Sequence, residues 1–449
     1  MKYTFSGGIK IEEQKNTKNS RIELVSDVRV VSIPLLQHIG VAATPVVSKG
    51  EYVTIGQKIG DVPEEMLGCP VHSSISGTVR DIVKKLSVNG NTVDHVIIEN
   101  DMKNTLSPDI RPVEKKLIDT TPEEVIELIR KSGVVGMGGA AFPTYAKIRS
   151  AVGKVNKLIV NCAECEPFIT ANHRLLLERP AAVINGIKVL LKTIGITTAY
   201  IALEDNKLDA AEKLKELLAE SRTISVKIMK TKYPQGDERQ LIYALCGIEI
   251  PQGKLPSDVG CVIFNAETCA AVYNAFSAGM PLVSRVVTVD GDAIREPKNL
   301  LVPIGTSVSD LINHCGGLKK IPNKIINGGP MMGVSQWDTE MPVTKATGAV
   351  LVFSKDFGKK HTVSAACIRC GKCVMNCPMH LMPMYIAQFS TIGDFTRAEE
   401  YGALSCVECG SCSYNCPGGV EIVQYIRLAK SAIRNEKLRS ASASSKAKI

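Results

Sequence analysis

Two cysteine runs near the C-terminus carry the clearest chemistry. "CIRCGKCVMNCP" places Cys367, Cys370, Cys373 and Cys377 ahead of Pro378. "CVECGSCSYNCP" repeats that spacing with Cys406, Cys409, Cys412 and Cys416 ahead of Pro417. Thiolates are soft ligands, and three cysteines so closely spaced wrap one corner of an iron–sulfur cubane. The fourth sulfur then comes from the other run. One 4Fe-4S cluster is expected on Cys367, Cys370, Cys373 and Cys416, the other on Cys406, Cys409, Cys412 and Cys377. Zinc is the competing occupant, but it takes only four ligands per ion and does not need four cysteines in so short a run, twice, each followed by proline. Two such clusters have no acid–base task; the work they suit is passing single electrons.

A second stretch, "GVVGMGGAAFPTYAKI" at 133–148, would let a ligand approach the backbone closely. "GMGGAA" fits G-x-G-x-x-A, but a dinucleotide fingerprint follows a strand, and this one follows the helical "PEEVIELIRKSG". "NCAECEP", "YPQGDE" and "FNAET" come later, at loop-like positions. Cys162 and Cys165 form a lone C-x-x-C within the first of these. With Cys69, Cys246, Cys261, Cys269 and Cys315 they lie outside the cluster spacing and read mainly as small core residues.

The elements that must position these loops follow from periodicity and turn residues. The length suits roughly three or four domains. Residues 28–98 read as short strands joined by glycine turns, a small sandwich similar to the biotinyl/lipoyl module, yet "VHSSISG" offers no carrier lysine at its turn. A helix follows, capped by Thr121, with Pro122 in its first position and Glu123 and Glu124 on its dipole. Between 155 and 280 strands ("KLIVNC", "AYIAL", "VKIMK") alternate with helices such as "DAAEKLKELLAE". Residues 284–335 return to strands around one helix near "SVSDLINHC". The expected fold class is multidomain α/β. Its parts are a β barrel-sandwich module (1–120), a Rossmann-like FMN/NADH domain (121–282), a β-grasp, SLBB-like module (283–340), a connecting segment (341–360), a helical two-cluster ferredoxin domain (361–435) and a disordered basic tail (436–449).

The motifs together resemble the flavin- and NADH-binding subunit of respiratory complex I, which carries a G-x-G-G-A-G-F-P-x-x-x-K loop and an N-x-x-E-x-E-P loop. Over nearly its whole length the chain resembles the C subunit of the Rnf complex, a membrane-bound ferredoxin:NAD oxidoreductase. "FSGGI", "QHIG", "GQKIGD", "PVHSSISGTV", "ECEP", "YPQG", "TVDGDAI" and the paired cysteine runs occur in that family's order. The resemblance implies bound FMN, reduced by NADH. Gly136 and Gly138 would admit the flavin and Lys147 would meet its phosphate or ring edge. Asn161 and Glu164 would contact the ribityl chain and ring. Tyr233, Gly236, Asp237 and Glu238 would line the opposite loop, and Asn265 and Thr268 the phosphate end. Phe142 and Glu166 would take the NADH side. The chain departs from the complex I pattern at Ala163, Phe264 and Ala141, and its "GGIKIEEQK" lacks the His-Pro character that often follows GGI.

No catalytic nucleophile or acid–base pair is called for, since the chemistry belongs to the cofactors. The resemblance implies a peripheral subunit on the cytoplasmic face of the membrane. Its partners would be NAD(H), the membrane subunits of an Rnf complex and, through another subunit, ferredoxin. Two other readings share the modules: a soluble relative such as a cobalamin reductase or a donor to an amino-acid reductase, and a non-enzymatic iron–sulfur adaptor. The absence of any apolar run near ~18 residues argues against a membrane span. The N-terminus lacks the apolar core of a signal peptide. The net charge is +9, and from Arg427 onward basic residues face a lone acid, Glu436. That tail suits solvent, an acidic partner or an anionic membrane surface. Aromatic content of 5% and the lack of a readout motif argue against nucleic acid.

Overall fold

The computed structural model describes residues 3–358 and 366–446. The chain divides into two units that do not follow the expected linear order of domains. One gathers Met1–Glu12, Lys230–Lys254 and Gly358–Ile449; the other holds Glu13–Met229 and Leu255–Phe357.

The larger unit contains three of the expected modules. Antiparallel Val30–Pro34, Thr92–Asn100, Gly77–Leu86 and Tyr52–Val53 form one sheet of the sandwich; Thr44–Pro45, Lys58–Asp61 and Val71–His72 form the other. Alternate residues point inward, so Val31, Ile33, Val96 and Ile98 are fully buried. At Gly77 the chain has φ +155°, and a Cβ there would lie 1.8 Å from Glu99 O. The turn where a carrier lysine would stand is buried, and the Ser74 hydroxyl donates to Ile304 O of the β-grasp module at 2.5 Å. It is a packing surface.

The helix Pro122–Lys131 starts in a capping box, Thr121 and Glu124 bonding each other's backbone N–H. It leads to the glycine loop and the helix Thr144–Ala151. A parallel sheet follows, ordered Ile224–Met229, Ala199–Glu204, Lys157–Cys162, Cys261–Asn265. The β-grasp module is larger than its expected span. Its six strands run Ile22–Leu24, Lys298–Pro303, Ser284–Asp290, Ala349–Ser354, Pro322–Asn327, Val334–Gln336, with the helix Val308–His314 beside them. The expected connecting segment thus supplies a strand, "AVLVFS", buried at every position because neighbours flank it on both edges.

In the smaller unit the helices Pro383–Thr391, Phe395–Glu400 and Ile422–Lys446 enclose Ile386, Ala398, Ile422, Ile426, Ala429 and Ile433. The segment expected to be a disordered tail is helical as far as Lys446. Some of its charge is matched internally: Arg427 and Lys430 pair with Glu408, and Lys437 with Glu399. The first residues expected for the cluster domain, 361–365, and the last three of the chain lie outside the described residues. Among the described residues no helix is long and apolar enough to cross a membrane.

Candidate functional site

The parallel sheet fixes where a ligand can enter. From Lys157–Cys162 the chain moves outward to Ala199–Glu204 and Ile224–Met229, then returns to place Cys261–Asn265 on the other side of the first strand. The order reverses between Lys157–Cys162 and Cys261–Asn265, and open α/β sheets bind ligands beyond the carboxyl ends at such a point. Asn161 and Asn265 sit there in register, side by side.

The glycine loop lies over this crevice. Met137 N–H donates to Thr268 Oγ1 at 2.9 Å, and a Cβ on Gly138 would meet the Asn265 side chain at 2.8 Å. Gly136 N–H closes the loop on Phe142 O at 2.9 Å. Ala141 has φ +52°, which explains why the complex I pattern places glycine at this point. Phe142 is 37% exposed, leaving a ring face free for stacking. Lys147 Nζ stands 5.6 Å from the centre of the buried Phe264 ring, so the second departure gives the lysine a cation–π support. Gly136, Gly138, Phe142, Lys147, Asn161, Asn265 and Thr268 all belong to the elements that meet at the crevice.

The two glutamates are placed differently from expectation. Glu164, at φ +53°, accepts from Asn172 N (2.7 Å) and His173 N (3.3 Å), capping the helix Ala171–Glu178. Glu166, assigned above to the NADH side, accepts from Met331 N (3.0 Å) and Met332 N (2.9 Å) of the β-grasp module. Gly329 is obligatory beside it, because a Cβ would come within 2.3 Å of the carboxylate carbon. Burial pushes this carboxyl from its usual 4.5 up to about 7, against the two N–H donors and Lys15. A carboxyl raised on folding stabilises the fold most at low pH, and that contribution is lost as pH climbs from about 4.5 through about 7. Glu166→Gln is expected to flatten the fall of thermal midpoint over this window; an unchanged slope would assign the titration to another group.

Four enclosed cations hold the loops from behind, and little in their local sequence marks them. The ammonium of Lys15 is enclosed although its stem reaches solvent; it donates to Glu164 O (2.8 Å), Glu166 O (2.8 Å) and Ile169 O (2.7 Å). Burial, and then the charge of Lys207, lower its pKa. Lys207 donates to Ala163 O at 2.6 Å and pairs with Glu204 at 3.1 Å. Arg285 reaches Met137 O (3.3 Å) and pairs with Glu267 (2.7 Å), while Lys345 donates to Gly133 O (2.7 Å) and Pro70 O (3.0 Å). One cue was available: "SRVVTV" and "PVTKATG" each set a single cation in an apolar or uncharged run. Cys162 is fully buried, and burial raises its thiol pKa well above the usual value, as suits a core residue.

Tyr233, Gly236, Asp237 and Glu238 belong to the smaller unit. Tyr233 is buried, and its hydroxyl donates to Cys409 O at 2.6 Å. Asp237 accepts from Arg239 N (3.0 Å) and Gln240 N (3.2 Å), capping the helix Glu238–Cys246; burial raises its carboxyl pKa.

The cysteine runs fold as a repeated pair. Arg369 and Glu408 have φ +54° and +56°, Gly371 and Gly410 +72° and +78°, His380 and Gly419 +53° and +63°. Three sulfurs accept backbone N–H groups: Cys377 from Leu381 (3.4 Å), Cys406 from Glu408 (3.3 Å) and Cys416 from Val420 (3.4 Å). Cys377, Cys406, Cys409 and Cys412, one of the two expected sets, line a single pocket with Met379, Leu381 and Ile426. Burial, followed by the neighbouring sulfurs of Cys406 and Cys409, pushes the Cys412 thiol up to about 12. Of the other set Cys367 and Cys370 are exposed, Cys373 is buried and Cys416 is half-buried. Among the described residues no three His, Cys, Asp or Glu side chains converge as a mononuclear metal site requires. Cubane ligands each face a different iron and need no such convergence. The donor set, its amide bonds and its apolar walls fit 4Fe-4S clusters.

Known proteins align with this arrangement module by module. Family models match residues 3–103 (RnfC Barrel sandwich hybrid domain), 129–274 (Nuo51 FMN-binding domain), 286–335 (SLBB domain) and 366–420 (4Fe-4S dicluster domain). The chain is 40% identical to the C subunit of the Na(+)-translocating ferredoxin:NAD(+) oxidoreductase complex of Acetobacterium woodii, over 96% of this chain and 97% of that one. It is 41% identical to the proton-translocating counterpart of Clostridium ljungdahlii, over 96% and 94%. The C subunit of an ion-translocating oxidoreductase complex from Rhodobacter capsulatus is 35% identical, over 97% and 84%. An NAD+-reducing [NiFe]-hydrogenase in the H2-reduced state shares the fold at a TM-score of 0.50 and 19% identity, over 70% of this chain and 62% of that one. With two clusters' worth of cysteines, an FMN-binding sheet and relatives alike from end to end, the chain belongs to the RnfC family, the C subunits of the ion-translocating ferredoxin:NAD(+) oxidoreductase complexes.

Proposed function

We propose that this chain exchanges electrons between NAD(H), FMN and two 4Fe-4S clusters, as a peripheral subunit on the cytoplasmic face of an ion-translocating membrane complex. The observation that carries the reading is the coexistence, in one chain, of the crevice under the glycine loop and the cysteine pair. FMN supplies the link between two-electron and one-electron chemistry when it is bound. Lys147, Thr268 and the N-terminal turn of the helix Ala266–Ala278 would hold its phosphate. Gly136 and Gly138 would admit its ring system, Asn161 would bond its polar edge, and Phe142 would offer a face to the nicotinamide nucleotide. Glu164 and Glu166 act on this site by fixing the 163–169 loop.

Ferredoxin would be reached through another subunit. Two relatives of nearly equal identity are named for different ions. We infer that the choice of ion is made elsewhere in the complex, in keeping with the lack of a membrane-crossing helix among the described residues. Anaerobic titration of the cluster-reconstituted protein with NADH tests the reading. Flavin absorbance is expected to bleach first, with cluster EPR signals after it. Zinc in place of iron and sulfide, or no bleaching, would overturn it.

A further inference from the structure

Inside the smaller unit, the 233–240 segment of the FMN-binding match is bonded to one sulfur set. Besides the Tyr233 hydroxyl on Cys409 O at 2.6 Å, Gln240 Nε2 donates at 3.0 Å to Pro378 O, next to Cys377. Ile9 exchanges both backbone bonds with Tyr233, at 2.8 and 2.9 Å, and Gly8 N–H donates to Asn376 O at 3.0 Å. Gly7 lies so close that a Cβ would stand 2.6 Å from Cys377 O. All these contacts fall on or beside Cys377 and Cys409. The opposite end of the pair faces outward: Ile368 and Met375, beside Cys367, Cys370 and Cys373, are 67% and 68% exposed.

We propose that Cys377, Cys406, Cys409 and Cys412 hold the inner electron carrier, adjoining the nucleotide site. Cys367, Cys370, Cys373 and Cys416 hold the outer one, and Tyr233 is the positioning residue that couples the inner carrier to the nucleotide-site loop. This rests on the reading above that the 233–238 loop serves FMN and that the two runs exchange their fourth cysteine. Oxidation of one NADH delivers a hydride and leaves NAD+; a proton is released once two electrons have departed. Each electron reduces the inner centre by one, reoxidises it on moving outward, and leaves the outer centre for a one-electron acceptor protein. Two passages balance one hydride, and the reverse direction runs the same order backwards.

A hydrogen bond to the carbonyl of a ligand residue favours the reduced, more negative centre. Tyr233→Phe keeps the ring and removes that bond. In an EPR-monitored dithionite titration of the full chain, one signal is expected to move to lower potential and the other to stay. Cys370→Ser, at an exposed ligand, identifies the outer signal by its loss or altered spectrum. In freeze-quenched samples after NADH, the signal that appears first is expected to be the one Tyr233→Phe moves. A shift in the Cys370-sensitive signal, a shift in neither, or a first appearance of the outer signal overturns the assignment. If NADH reduces nothing, the fault lies with the nucleotide-site reading, and the dithionite titration still decides which centre Tyr233 touches.

Discussion

Lys15→Met is expected to strip the protein of flavin while leaving its iron content unchanged. The ammonium of Lys15 is the shared partner of three carbonyls in the loop that follows Asn161. Methionine fills similar space and donates nothing. A carbonyl left without a partner and out of water costs about 1–3 kcal/mol. Three together exceed what a short loop can bear without rearranging, so Glu164 and Glu166 should leave their backbone partners. Hydrogen exchange across 163–169 should quicken, and NADH should no longer bleach the sample. Lys15→Arg keeps the charge and should recover part of the flavin. Full retention of flavin by Lys15→Met would show that the loop is held by other means.

Glu267→Ala is expected to be among the most destabilising single changes outside the apolar core. Glu267 begins the helix Ala266–Ala278, is buried, and accepts from Arg285 (2.7 Å) and from Val286 N (2.5 Å). Removing one partner of a buried pair costs about 3–5 kcal/mol, because the other charge stays behind unmatched. A lowered thermal midpoint of the larger unit should report it. The double variant Glu267→Leu, Arg285→Met should regain much of that stability, since an apolar replacement of both partners leaves no lone charge. It should not regain flavin affinity, because the Arg285 bond to Met137 O is gone. Recovery of both would separate the pair from the site.

Local chemistry was legible in the sequence, and long-range contacts were not. The cysteine spacing named the ligands, and the cap at Thr121 marked the helix that enters the glycine loop. Asn161 and Asn265 were readable as motif positions, although their side-by-side register comes only from the crossover in the sheet. Lys15 lies about 150 residues from the carbonyls it holds and sits in "EEQKNTKNS", which reads as a solvated stretch. Lys345 was hidden likewise, because what marks it as buried is Pro70 O, 275 positions away. "AVLVFS" carried no turn signals of its own and passed for a connector, since its partners lie in separate parts of the chain. The carboxylates of Glu164 and Glu166 were read as ligand contacts, whereas each is engaged with the protein's own backbone.

The patchwork make-up of the smaller unit has a consequence for how the protein is made. Its pieces are the first twelve residues, a central insert and the final stretch of the chain. A ribosome delivers them far apart in time, whereas domains usually fold as contiguous segments emerge. The larger unit can close early around its own sheets. The cysteine-bearing unit has to wait for the last helix, with the N-terminal strip and the Tyr233 insert held in readiness. Iron and sulfide loading therefore belongs to the end of biosynthesis, and truncated chains should accumulate as folded nucleotide-type domains without metal.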